Sequence, residues 1–170
     1  MKLIRFLSAF ALLLSSESAL PAAAPPDVLT PPAQRRTASD FTQPDNHGSP
    51  LALSAYRGKV VLLDFWATTC GGCKVEIPWY VEFDRKYRSQ GLSVIGVSMD
   101  DEGMRVVKPF LVEHHVEYPT VISTDDIARQ YGVVAMPLTL LIDRQGRIAV
   151  SHLGIVNKEN FEDLIRSLLH

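Results

Sequence analysis

The only two cysteines of this 170-residue chain, Cys70 and Cys73, stand three positions apart. They follow Val60-Val61-Leu62-Leu63-Asp64-Phe65, a nearly continuous apolar run of the kind shown by a strand buried on both faces. Beyond them Val75, Trp79, Phe83 and Tyr87 recur every four residues, which predicts a helix from about Gly71 to Arg88 with one apolar stripe. The cysteine pair therefore stands where a buried strand gives way to a helix. The first turn of a helix offers unpaired backbone N–H groups and the positive end of the helix dipole. Both favour a thiolate and lower the pKa of the leading cysteine, Cys70. Two cysteines so spaced can close a disulfide and open it again, and this context points to redox chemistry. Two other readings of the pair are half a zinc site and a merely structural disulfide. Zinc would need two further ligands. No other cysteine exists, and His47, His114, His115, His152 and His170 form no second pair at zinc-finger spacing. No metal and no cofactor is expected.

The remainder alternates strand and helix signals. Turn residues between short apolar pieces over Phe41 to Leu53 predict an N-terminal hairpin. Strands are expected at Leu92 to Val97, Tyr118 to Ile122, Leu138 to Asp143 and, after an Arg144-to-Arg147 turn, Ile148 to Leu153. Helices are expected over 104 to 115, where Pro109 must kink the segment or lie near its start, over Asp125 to Tyr131, and over Lys158 to Leu169. This order gives an α/β fold with a central mixed sheet flanked by helices. With 46% hydrophobic and 21% charged residues the chain can hold a core by apolar burial alone. A net charge of −2 names neither nucleic acid nor an anionic membrane as partner.

The N-terminus reads as a targeting segment. Lys2 and Arg5 precede an apolar run from Phe6 to Leu14, too short to span a bilayer, and Ala22-Ala23-Ala24 suits signal-peptidase cleavage. Residues 1–24 are thus expected to be a signal peptide, with an uncleaved inner-membrane anchor as the alternative. No cysteine lies near enough for a lipid anchor. Residues 25–39 are proline-rich and read as a linker, and the folded domain is expected over 40–170. A periplasmic or secreted location follows, where disulfides form and persist.

The segment Phe65-Trp66-Ala67-Thr68-Thr69-Cys70-Gly71-Gly72-Cys73-Lys74-Val75-Glu76-Ile77-Pro78 resembles the F-W-A-T-W-C-x-P-C-x-x-E-x-P signature of TlpA/ResA-like extracytoplasmic thioredoxins. The likeness runs from about Asp40 to the C-terminus. It includes a long segment between Met99 and Gly132, similar to this family's insertion in the thioredoxin fold, and Val134-Ala135-Met136-Pro137-Leu138-Thr139, similar to the segment carrying its cis-proline. Thr69 stands in place of the usual Trp, Gly72 in place of Pro and Leu138 in place of a common Thr.

The resemblance implies a thiol–disulfide oxidoreductase that reduces, or in the other direction oxidises, protein disulfides, with a place in cytochrome c maturation. Cys70 would attack the substrate disulfide, and Cys73, more buried, would resolve the mixed disulfide. Asp64 matches the buried acid of thioredoxins and Glu76 an active-site glutamate of the ResA-like group; either could take the Cys73 proton. Read without the resemblance, Asp64 could cap a strand end and Glu76 could be a solvated helix residue. Met136, Pro137 and Thr69 would contact substrate. The implied partners are proteins with disulfides or thiols and a membrane thiol-transporting reductase as electron donor; the protein itself would be a monomer.

Two rivals differ in chemistry. A peroxiredoxin-type peroxidase needs Thr or Ser three before its reactive cysteine and Pro seven before, where this chain has Ala67 and Leu63. A periplasmic Cu(I) carrier would use the two cysteines as soft ligands. It lacks a Met or His adjacent to the motif, with Met136 across the site as its one support.

Overall fold

The computed structural model describes residues 27–170. The expected signal peptide lies outside the described residues. A hairpin of β1 (Thr42–Pro44) and β2 (Pro50–Ala52) opens the domain. There follow β3 (Val60–Trp66), α1 (Gly71–Tyr87), β4 (Leu92–Ser98), α2 (Met104–Glu113), β5 (Thr120–Ile122), α3 (Asp125–Tyr131), β6 (Leu138–Ile142), β7 (Ile148–Leu153) and α4 (Lys158–Leu169). Five strands form one sheet in the order β5-β4-β3-β6-β7; β3, β4 and β5 run parallel, and β6 and β7 run antiparallel to their neighbours. This is the mixed sheet that the sequence predicts.

β3 is central, and all of its residues are buried. Its alternate side chains face different layers. Val61, Leu63 and Phe65 pack with Ile95, Leu140, Ile142, the hairpin residue Leu51, and Ile127 and Tyr131 of α3. Val60 and Leu62 pack against Tyr80 and Phe83 of α1 and Phe161 and Ile165 of α4. At the end of that second face Trp66 joins Cys73, Ile77 and, from α2, Val107 and Phe110.

The helix ends follow local chemistry. Thr124 caps α3 by accepting the Ile127 N–H, and Asn157 caps α4 by accepting the Asn160 N–H. The chain leaves α3 through Gly132 at φ +66°, a left-handed conformation that costs glycine little. The expected stripe of α1 needs correction. Trp79 is only half-buried, and Val75 is 46% exposed. Phe83 and Tyr87 are buried as expected, and Cys73, Glu76, Ile77, Tyr80, Val81 and Asp84 complete the buried face. A strict four-residue repeat drifts off a helix of 3.6 residues per turn, so Val75 swings out. Pro109 lies inside α2 rather than near its start.

The proline-rich segment lies against the domain. The Thr30 N–H donates to the Ala149 carbonyl, the Ile148 N–H to the Arg36 carbonyl, and the Ala38 N–H to the Gly146 carbonyl. Arg35 pairs with the buried Asp143 at 3.0 Å. No helix among the described residues is long and apolar enough to cross a membrane.

Candidate active site

β3 ends at Trp66, and the chain turns through Ala67–Thr69 into α1. Asp100, buried just beyond β4, holds this turn. Its carboxylate accepts the Thr68 N–H at 2.9 Å, the Thr68 hydroxyl at 2.6 Å and the Ser98 hydroxyl at 2.8 Å. Cys70 is the N-cap of α1, and the Cys73 N–H donates to its sulfur at 3.1 Å. The two cysteines are joined as a disulfide. Cys70 is half-buried and Cys73 has 0% of its surface exposed, so the pair has an outer and an inner sulfur.

Beneath α1 the sheet carries a polar row. The β-ladders set Thr120, Gly96, Asp64, Thr139 and His152 side by side on β5, β4, β3, β6 and β7. Cross-strand neighbours share a face, so these residues all look toward α1. Asp64 is 1% exposed, and neither of its carboxylate oxygens has a hydrogen-bond partner. Burial, reinforced by the Glu76 charge, pushes its pKa well above the usual carboxylate range.

Glu76, on α1, is 0% exposed. One of its oxygens accepts the Val156 N–H at 2.8 Å, and the other has no partner. Burial raises its pKa too, while the Val156 N–H, the nearby Tyr80 hydroxyl and the His152 ring pull it back. Tyr80 shares a hydrogen bond with Thr139 at 2.8 Å. Burial, followed by the Asp64 and Glu76 charges, raises its pKa well above the ordinary phenol value.

The expected site residues fall into two groups. Cys73 and Glu76 are buried on α1 and Asp64 is buried within β3 beneath it, so Asp64 is no strand-end cap and Glu76 no solvated helix residue. Thr69, Cys70, Met136 and Pro137 lie toward the rim. Thr69 is exposed, Met136 is 37% exposed, and Pro137 is buried after a cis peptide bond. Pro137 crosses directly over the motif: a Cβ placed on Gly72 would lie 3.1 Å from the Pro137 ring and 3.2 Å from the Ile155 side chain. Exposed Val75, Val134, Met136, Leu153 and Ile155 give the elements bordering the motif an apolar rim.

Sequence reasoning missed Thr139, Asp100, Ile155 and His152. Thr139 left a signal, being the one polar residue in Leu138–Ile142, as Asp64 is in β3. Asp100 and His152 lie where polar residues are ordinary, and nothing in the sequence marks them.

Comparison with known proteins gives a consistent picture. The AhpC/TSA family matches residues 35–151. Thiol-disulfide oxidoreductase ResA of Geobacillus kaustophilus is 35% identical over 133 residues, which span 78% of this chain and 76% of that protein. Thiol-disulfide oxidoreductase ResA of Bacillus thuringiensis subsp. konkukian is 30% identical over 134 residues, 78% of this chain and 77% of that protein. Among solved structures, a chain described as thiol:disulfide interchange protein DsbE from Chlorobium tepidum superposes with a TM-score of 0.75 at 34% identity. That superposition covers 80% of this chain and 97% of the other.

Proposed function

We propose a working cycle for this chain, which belongs to the AhpC/TSA family of the thioredoxin superfamily and is a thiol–disulfide oxidoreductase: Cys70 attacks, Cys73 resolves, and the buried acids manage the proton. In the reducing direction the Cys70 thiolate forms a bond to one sulfur of a substrate disulfide, and the other substrate sulfur leaves as a thiolate. The Cys73 thiolate then attacks the Cys70 sulfur. The Cys70–Cys73 disulfide closes, the second substrate sulfur leaves, and two electrons have passed to the substrate. The reverse sequence oxidises a substrate dithiol.

The observation that carries this reading is the pairing of a half-exposed Cys70 with a fully buried Cys73 over two carboxyl groups of raised pKa. A thiol in a dry site loses its proton only to a nearby base, and a carboxyl group whose pKa is raised toward that of a thiol is suited to take it. Asp64 and Glu76 together are assigned that role. Thr69, Met136 and Pro137 are assigned to substrate, with the apolar rim receiving the chain beside its cysteine. The protein works as a monomer outside the cytoplasm, freed by cleavage of residues 1–24, and is recharged by a membrane thiol-transporting reductase. Its substrates include thiols to be kept reduced for haem attachment in cytochrome c maturation.

The test is a pair of single substitutions assayed on insulin disulfides. Cys70→Ser is expected to abolish reduction, and Cys73→Ser to accumulate a mixed disulfide through Cys70. Equal alkylation rates for the two reduced thiols would overturn the assignment of attacker and resolver.

A further inference from the structure

His152 sits in β7, at the end of the polar row that runs through Thr139 to Asp64. Its ring is held on both sides. Nδ1 lies 2.8 Å from the Asp27 carboxylate, and Nε2 lies 3.3 Å from the Ile155 carbonyl. Both partners are acceptors, so both are satisfied at once only when each ring nitrogen carries a hydrogen. Asp27 is fixed from a third direction, because the Asn160 side-chain amide of α4 donates to its backbone carbonyl at 3.2 Å. The residue that follows Ile155 is Val156, whose N–H donates to Glu76.

We propose that His152 is a positioning residue for the Glu76 carboxylate: anchored to Asp27, its ring holds the Ile155–Val156 turn where the Val156 N–H grips Glu76. This rests on the reading that Glu76 shares in taking the Cys73 proton. A positive ring adds a second effect in the same direction. Its charge favours the ionised form of Glu76 against the burial that opposes it. Tyr80 from its own helix and His152 from β7 bear on Glu76, and the Glu76 charge is felt in turn by Asp64 of β3 and by Tyr118 on the approach to β5. Asp27 is the carboxylate that faces His152 from the N-terminal segment. Among Tyr80, His152, Asp64 and Tyr118, His152 is the one with part of its side chain at the surface.

The experiment follows single-turnover release of a peptide from its Cys70 mixed disulfide, acid-quenched across a pH series, in the full chain and four variants. Wild-type release should rise with pH as the acids ionise. His152→Ala loses both anchors and the charge. Its acidic limb should move to higher pH by about half a unit, with release about threefold slower on that limb, since one unit is a factor of ten. Asp27→Asn should move the limb the same way by less. His152→Asn, which keeps one donor without a charge, should fall between wild type and His152→Ala, and it fits an outer strand should the alanine variant fold poorly. Formation of the mixed disulfide at Cys70 should stay unchanged in all three. Glu76→Gln separates the two ideas. If it flattens or displaces the limb while the His152 and Asp27 variants superimpose on wild type, the proposal is overturned and the role of Glu76 stands. If Glu76→Gln leaves the limb in place, the underlying reading fails first.

Discussion

The two faces of the central sheet are built to different rules. On one, Val61, Leu63, Phe65, Ile95, Leu140 and Ile142 meet the hairpin and α3 with apolar atoms alone. On the other, the same strands present Asp64, Thr139 and Thr120 to α1, and several buried polar atoms have no hydrogen-bond partner. They include both Asp64 oxygens, one Glu76 oxygen, the Trp66 indole N–H and the Thr120 hydroxyl. A buried polar group without a partner costs on the order of 1–3 kcal/mol. The first face stabilises the molecule, and the second carries groups that stability alone would remove. The face that bears the burden is the one the redox helix lies upon.

Three substitutions would break or sharpen that contrast. The largest effect is expected on the apolar face. Leu63→Ala removes a fully buried side chain from a packed cluster and should cost about 2–5 kcal/mol in chemical denaturation, with turnover per folded molecule unchanged. A loss below about 1 kcal/mol would mean that this face is less tightly packed than its burial implies.

The opposite sign is expected on the polar face. Asp64→Asn should stabilise the protein by about 1–3 kcal/mol at neutral pH while slowing release of the mixed disulfide. The sign follows from linkage. The folded-state pKa of Asp64 lies above its unfolded value, so between the two the folded state holds the proton that the unfolded state has lost. Wild-type stability therefore falls as pH rises through that window, and asparagine, which does not titrate, escapes the fall. Melts from acid to alkaline pH should show the gain of Asp64→Asn opening only above the ordinary carboxylate range. A constant gain at every pH would assign it to packing instead.

The smallest effect separates polarity from its lack of partners. Thr139 belongs to the same row, but its hydroxyl is satisfied by Tyr80. Thr139→Val keeps the shape and removes the phenol's 2.8 Å partner, so it should cost about 1 kcal/mol, opposite in sign to Asp64→Asn one strand away. A stabilising Thr139→Val would show that the whole row, and not its unpaired members alone, opposes folding.

How much of this was legible in the sequence depended on whether a residue broke a pattern. β3 and its acid could be read because Asp64 interrupts a run that otherwise admits only apolar side chains. The N-terminal hairpin and the closing helix are likewise visible; the expected limits of α3, β7 and α4 coincide with the observed ones, and those of the other elements differ by one or two residues, where caps and frayed turns decide. In α1 the four-residue spacing holds for Phe83 and Tyr87 and drifts off the buried face toward Trp79 and Val75. That drift exchanged exposed Val75 for buried Glu76 and Tyr80. The links among Asp27, His152, Ile155 and Glu76 could not be read at all. They join residues of the N-terminal segment, β7 and α1 whose proximity exists only after the sheet has formed.

The contact of Gly72 with Pro137 and Ile155 has a consequence for anyone retuning this motif. Scanning the two spacer residues between the cysteines is an obvious way to adjust such a pair, on the premise that each spacer acts on the sulfurs alone. Here the second spacer position is spatially shared. A side chain added at 72 comes within 3.1 Å of the Pro137 ring and 3.2 Å of the Ile155 side chain, so these neighbours must give by a few tenths of an ångström as the spacer changes. The loop after β7 that holds Ile155 also carries the N–H on which Glu76 depends. A library built at position 72 would thus sort its members in part by how they press on Pro137 and Ile155. Varying 72 and 155 together, with a small residue at one wherever the other is large, is the design that would let spacer chemistry be measured by itself.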